Sequence, residues 1–315
     1  MDITVAIPTY NGAARLPEVL RQLQRQEQTE AIKWEILVVD NNSNDRTQEV
    51  IAKFQTIMPH LRWCQELMQG EGFARRRAFW EARGELVAFL DDDTIPEAHW
   101  VSAVAQFAKT HFRAGAYGSR VHADYAVPPP PNFDRIAPFL AMTERGDQPL
   151  LYEKNSRLLP PGAGLVVRKS VWQQYVPDEM ILSGRTEENM LTGEDLEMLT
   201  YIQSSPWEIW YNPAMKITHK IPATRLDKKY LIPFMRGIGL CRYVIRTSGT
   251  KGIKKYLIAV CYMINDCRKL LWHLVKHGTE VRTDPVSASE LMLLTSTLIS
   301  PFYLWINGYL SKRKS

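Results

Sequence analysis

Short apolar runs alternate with longer amphipathic stretches between residues 4 and 90. Apolar, mostly aliphatic and β-branched residues dominate 4–7, 35–39 and 86–90, and Pro, Asp or Asn stops each run at once, which predicts buried strands. Between them, 16–28, 47–54 and 74–83 are helical stretches with polar faces. Strands alternating with such helices predict an α/β fold, a doubly wound, mostly parallel sheet with flanking helices. Ligands of these sheets bind beyond the carboxyl ends of the strands. Three polar clusters fall there: Thr9-Tyr10-Asn11, Asp40-Asn41-Asn42-Ser43 and Asp91-Asp92-Asp93.

The pattern changes downstream. Four prolines at 128–131 make a stiff break, and the chain then reads as loop until Pro160-Pro161-Gly162-Ala163-Gly164, an expected insertion over the site. Beyond residue 220 two long, mostly helical segments are predicted near 226–246 and 253–277. An uncharged stretch over 291–310 follows, ending in Lys312-Arg313-Lys314. The organisation expected is therefore an α/β domain over 1–220 and a helical region over 221–315.

The stretch 291–310 has the length of a bilayer crossing. A single crossing would carry the basic end to the far side and place Pro301 and Asn307 within it, against the positive-inside tendency. A hairpin with 257–275 would put Asp266, Arg268 and Lys269 at mid-membrane, which is costly. Interfacial or core-packed helices are the expectation.

Charge divides the chain at nearly the same place. Residues 1–219 hold 22 Lys/Arg against 29 Asp/Glu, a net of −7, and 220–315 hold 17 against 5, a net of +12. Such a basic tail meets something anionic. Its cations are interleaved with apolar runs such as Tyr256-Leu257-Ile258-Ala259-Val260, which suits lipid headgroups and argues against nucleic acid. Cys64, Cys241, Cys261 and Cys267 show no CxxC pair and no zinc spacing, so reduced thiols and a cytosolic setting are expected. The first residues run straight into a strand and lack the features of a signal peptide. Together these predict a cytoplasmic protein, peripheral at the inner face of the plasma membrane.

Three consecutive aspartates repel one another, and a divalent cation or a dense set of donors relieves this most easily. A hard-metal site that handles phosphate is the first inference. Helix capping is the competing one, since Asp93-Thr94-Ile95-Pro96-Glu97 could open a helix. A dinucleotide site would need a glycine-rich turn after the first strand, and Ile7-Pro8-Thr9-Tyr10-Asn11-Gly12 has one glycine only. A magnesium-dependent phosphatase of Asp-x-Asp-x-Thr type would need Thr where Ile95 stands, and a nucleotidyltransferase would need a glycine-rich loop. A non-catalytic membrane-bound scaffold stays open.

Taken together, Val5-Ala6-Ile7-Pro8-Thr9-Tyr10-Asn11, Val38-Val39-Asp40-Asn41-Asn42-Ser43, Ala74-Arg75-Arg76-Arg77-Ala78, Phe89-Leu90-Asp91-Asp92-Asp93, Gly193-Glu194-Asp195 and His219 resemble glycosyltransferase family 2, with its GT-A fold, across about the first 220 residues. Glu153, the 160–164 block and Trp207-Glu208-Ile209-Trp210-Tyr211-Asn212-Pro213 look most like its cyanobacterial hormogonium-polysaccharide branch.

The resemblance implies an inverting, metal-dependent transfer of a sugar from a nucleoside-diphosphate donor, a UDP-sugar, to a hydroxyl of a saccharide or lipid-linked saccharide. Pro8, Thr9, Tyr10, Asn11, Asp40 and Asn42 would surround the nucleotide, and Arg75 would approach its phosphates. Arg76 departs from the family, which often has Asn there. Asp91 would face ribose and metal, Asp92 would lie beside the donor, and Asp93 with His219 would ligate Mn²⁺ or Mg²⁺. Gly162 and Gly164 would let backbone approach the sugar. Asp195 would be the general base, supported by Glu194. Trp207, Trp210 and Tyr211 could stack on sugars, but core packing is expected for at least two of them.

Overall fold

The computed structural model describes residues 1–154, 158–184, 191–250 and 252–310. The chain forms two compact units from interleaved segments. The first comprises Met1–Asp124, Ala141–Asp178 and Tyr201–Lys220, and the second Tyr125–Leu140, Glu179–Thr200 and Ile221–Ser315.

In the first unit β1 (Ile3–Thr9), α1 (Leu16–Gln24), β2 (Trp34–Asp40), α2 (Thr47–Gln55), β3 (Leu61–Gln65), α3 (Glu71–Glu81) and β4 (Leu86–Phe89) make a parallel half-sheet in the order β3-β2-β1-β4. The chain then turns back on itself. β5 (Thr94–Pro96), α4 (Trp100–Thr110), β6 (Ala114–Tyr125), β7 (Leu150–Tyr152), β8 (Val166–Arg168), α5 (Lys169–Tyr175) and, after α6 (Glu194–Gln203), β9 (Glu208–Ile221) extend the sheet as β8-β6-β9-β5, with β7 also on β9. β4 meets β8, and β5 meets β9, in antiparallel register.

The apolar runs become strands because both of their faces are covered. Ile3, Val5 and Ile7 of β1 and Ile36 and Val38 of β2 join one core with Leu16, Val19, Leu20 and Leu23, the apolar stripe of α1, all fully buried. Burying each such side chain contributes roughly 1.5–3 kcal/mol. Pro17 begins α1 where a missing N–H is harmless.

A polar tie crosses this apolar sheet. Glu35 of β2 sits opposite Thr4 of β1 and accepts from Thr4 Oγ1 (2.8 Å), Arg62 Nε (2.8 Å) and the Arg83 N–H (3.0 Å). Thr4 Oγ1 in turn accepts from the Gly84 N–H (2.9 Å). Gly84 is needed there, since a Cβ would stand 2.4 Å from Thr4 N.

The second unit is helical. α7 (Lys228–Thr247), α8 (Ile253–His277) and α9 (Pro285–Ile306) are its long elements, and the Asp284 carboxylate caps α9 by accepting from Val286 and Ser287 N–H. α7 and α9 approach closely at small residues. A Cβ on Gly239 would lie 2.5 Å from Ser296 Cβ, and Ser300 Oγ donates to Leu240 O while accepting from Tyr243 N–H. α8 meets them through polar groups: Arg246 pairs with Asp266, and His273 Nε2 lies 3.0 Å from Ser287 O. Arg135 supplies the positive charge beside Glu290 and His277.

Several elements differ from the sequence expectations. α1 stops at Gln24, and α3 begins at Glu71. Residues 94–96 form a strand and not a helix start, because β9 pairs with them. β3 carries no continuous apolar run, since every second residue of this strand reaches the surface. The expected insertion contains 3₁₀ turns at Phe133–Arg135 and Ala137–Leu140 and the short β7. Tyr211 is fully buried and Trp210 packs against the core, as expected for two of the three aromatics. α9, covering the uncharged stretch, is long and apolar enough to cross a membrane, with 28% of its most apolar window buried.

Burial opposes charge on Glu35, but the bonds from Arg62, Arg83 and Thr4 outweigh it and hold the carboxyl below its ordinary value of 4.5. A depressed carboxyl stabilises the fold above its unfolded pKa, and this contribution is lost as pH falls through the folded value. Glu35→Gln should therefore cost about 2 kcal/mol at pH 7, read by urea unfolding. The gap from wild type should narrow below about pH 4.5; a gap of constant size would refute the assignment.

Candidate active site

The order β3-β2-β1-β4 places a topological switch point between β1 and β4, where successive connections leave the sheet in opposite directions. Crevices for ligands open at such points. Here the ends of both strands are polar, and they are fastened to each other. Thr9 Oγ1 donates to Asp92 Oδ2 (2.6 Å), and Arg15 grips the same carboxylate through Nε (2.8 Å) and Nη2 (2.9 Å). Gly12 allows this, since a Cβ there would lie 2.0 Å from Thr9 Oγ1 and 2.7 Å from Asp92 Oδ2. The structure thus places Asp92 in a clamp between strand ends, with both oxygens accepting from neighbours.

The loops after β1 and β2 interlock in the same region. The Asn11 N–H donates to Ser43 Oγ (2.9 Å), the Asn44 N–H to Asn11 Oδ1 (3.0 Å) and the Gly12 N–H to Thr47 Oγ1 (2.9 Å). Asn11 and Asn42 both adopt positive φ, 49° and 62°, a conformation Asn tolerates better than other side chains. Asp40 is fully buried, accepting from the Ser43 N–H (3.1 Å) and Gln48 Nε2 (2.9 Å). Tyr10 and Pro8 are half-buried beside it on β1 and its exit, and the Tyr10 carbonyl accepts from Arg15 (3.1 Å).

Asp91 and Asp93 go elsewhere. Asp91 receives Arg75 Nη2 (2.9 Å), whose guanidinium is also held by Glu71 (2.7 Å), lies 5.0 Å from the centre of the Phe89 ring and donates to Gly162 O (3.4 Å). Burial pushes the Asp91 carboxyl up to about 6; Arg75 opposes this, and Glu71 and Asp93 add to it. Asp93 lies at the start of the β5–β9 pairing. Thr94 stands opposite His219, so β9 carries the imidazole to the acid, with Nε2 3.6 Å from Asp93 Oδ1. Both side chains are nearly buried, at 7% and 8% exposure.

Asp93 and His219 offer an oxygen and a nitrogen ligand to a divalent cation, and Asp91 is near enough to interact electrostatically with both. The residues present therefore fit Mn²⁺ or Mg²⁺. Gly164, at φ +70°, packs against Ser119, where a Cβ would lie 2.4 Å from Oγ, so its glycine is required by the fold at that position. Arg76 is drawn away, donating to Asp178 O (2.9 Å) over the Trp80 ring.

Glu194 and Asp195 belong to the second unit, where they open α6. Asp195 Oδ1 accepts from the Leu196 N–H (2.7 Å), and Glu194 is buried. One turn on, Glu197 receives the Ile181 and Leu182 N–H groups (3.1 and 2.8 Å), anchoring the preceding segment to the helix.

Sequence reasoning did not single out Arg15, Glu71 or Glu197. Glu71 is signalled by its i,i+4 spacing to Arg75. Nothing in the chain around Arg15 signals its part in the clamp.

Residues 4–173, more than half of the chain, match the family model of Glycosyl transferase family 2. An uncharacterized glycosyltransferase of Nostoc sp., alr2836, is 27% identical over 179 residues, or 56% of this chain and 54% of its own. The mannosyltransferase PcManGT of Pyrobaculum calidifontis, solved with GDP-Man and Mn²⁺, superposes with a TM-score of 0.57 at 17% identity, covering 99% of this chain and 76% of its own. Residues 1–349 of S. aureus TarS, solved with UDP-GlcNAc, give 0.56 at 16% identity, covering 98% and 92%. The matches span from about a third to about half of the length of the first curated relatives. Both structural likenesses identify the fold as GT-A, and with the family match they establish that the chain belongs to glycosyl transferase family 2.

Proposed function

We propose that this chain is an inverting, metal-dependent glycosyltransferase that moves a sugar from a nucleoside-diphosphate donor, a UDP-sugar, to a hydroxyl of a growing saccharide. The observation that carries this reading is the buried Asp93–His219 pair, with Asp91 electrostatically linked to it, following β4 at the β1–β4 switch point. Asp91, Asp93 and His219 would hold Mn²⁺ or Mg²⁺. A cation bound there neutralises charge that grows on the departing nucleoside diphosphate.

The other residues have separate tasks. Asp40, on its short turn with Ser43, takes the nucleobase side together with Pro8, Thr9, Tyr10, Asn11 and Asn42, and Tyr10 offers a stacking face. Arg75 is held in place by Glu71 and brings a guanidinium fork toward the diphosphate. Asp92 keeps the two strand ends in position through Thr9 and Arg15. Gly162 and Gly164 form the backbone beside the transferred sugar.

Asp195 accepts the proton of the acceptor hydroxyl while that oxygen attacks the anomeric carbon and the bond to the diphosphate breaks. Glu194 supports it. A hydroxyl is a poor nucleophile at neutral pH, so the base accounts for a large share of the acceleration. A single displacement of this kind inverts the anomeric centre. The acceptor class favoured by the basic, apolar C-terminal helices is a lipid-linked saccharide, with the chain peripheral at the inner face of the plasma membrane.

Asp195→Asn should lower transfer about 10³-fold while nucleotide affinity, measured calorimetrically, changes little; unchanged turnover would remove Asp195 from the mechanism. Asp93→Asn and His219→Ala should each raise the Mn²⁺ concentration needed for half-maximal nucleotide release at least about tenfold. A donor screen by nucleotide release, with and without Mn²⁺, checks the metal and the base together. Release that ignores the metal in wild type would refute metal dependence.

A further inference from the structure

α8 is inverted relative to a helix of a globular core. The residues it buries are polar, Asp266 and His273. At about 100° per residue, Ile253, Leu257, Val260, Ile264, Leu271 and Val275 fall in one stripe roughly 60° wide. These six side chains are between 54% and 80% exposed. The inner face is already committed, Asp266 to Arg246 and His273 to Ser287, so rotating the helix to hide the stripe would break both.

The charges of α8 are arranged as well. Lys254, Arg268, Lys269 and Lys276 all project on one flank of the stripe, with the exposed Trp272 among them. Tyr262 and Met263 of α8 and Pro301 of α9 line one cavity, so the last turns of α9 lie at the same end as the start of α8. There α9 exposes Phe302, Trp305 and Ile306.

An apolar stripe with a basic flank and an aromatic at the boundary fits the zone between acyl chains and anionic headgroups. A second copy of the chain would bring a second basic flank to the same place, with residues 220–315 at a net of +12. We propose that α8 lies in the plane of a bilayer containing anionic lipids, its stripe among the acyl chains and its Lys/Arg flank on the phosphates, with the end of α9 beside it. This rests on the membrane part of the reading above and is independent of the catalytic part.

The test uses the whole chain and sedimentation with vesicles of phosphatidylcholine, with or without phosphatidylglycerol. Wild type should sediment with the anionic vesicles. Leu257→Glu/Ile264→Glu/Leu271→Glu should weaken that binding at least about tenfold, with unchanged circular dichroism and unchanged transfer to a soluble acceptor. Lys254→Gln/Arg268→Gln/Lys269→Gln/Lys276→Gln should remove the preference for phosphatidylglycerol. Equal sedimentation of wild type and the glutamate variant would overturn the proposal. So would a wild type that ignores vesicles but is a dimer by light scattering, converted to monomer by the glutamates. Failure of transfer by a wild type that still binds vesicles would count against the catalytic reading alone.

Discussion

Three carboxylates on consecutive residues cannot share one buried environment, and the first unit depends on sending each to a different neighbour. Asp92 goes back to β1, where Thr9 and Arg15 take its charge. Asp91 turns to the Arg75 fork on α3, and Asp93 to His219 on β9. Each solution recruits a different part of the chain. The sheet must therefore hold β1, α3, β4 and β9 in register before the acids become tolerable. Burial still holds the Asp91 carboxyl up, to about 6, even with Arg75 beside it.

The second unit solves the opposite problem. α7 and α9 bring backbones together at Gly239, Ser296 and Ser300, and hydroxyl groups satisfy what the close approach leaves open. α8 is fixed to that pair by ionic and polar contacts, so its position does not depend on covering its apolar residues. A helix held in this way keeps a greasy face outward without collapsing on its neighbours.

The parallel half of the sheet was legible because buried strands read as continuous apolar runs, as in Val5-Ala6-Ile7 and Leu37-Val38-Val39. β3 was not, since Arg62, Trp63 and Gln65 reach the surface of an edge strand and break the run. β5 is three residues long and exists through its pairing with β9, a partner more than a hundred residues away that no local pattern announces. The triple aspartate marked an acidic strand end, but spacing alone could not separate the clamp residue Asp92 from its neighbours. That distinction required knowing that Arg15 folds onto the same strand end.

The Thr94–His219 register has a consequence for how the protein is made. Asp93 and His219 are brought together by strands whose intervening chain includes two segments of the second unit, Tyr125–Leu140 and Glu179–Thr200. Closing so long a loop is entropically costly and slow compared with pairing β1, β2 and β4. On the ribosome the parallel half can order first, while the acids of residues 91–93 wait for a histidine not yet synthesised. Any site that needs Asp93 and His219 together is thus completed late in folding, once the distant segments are in place.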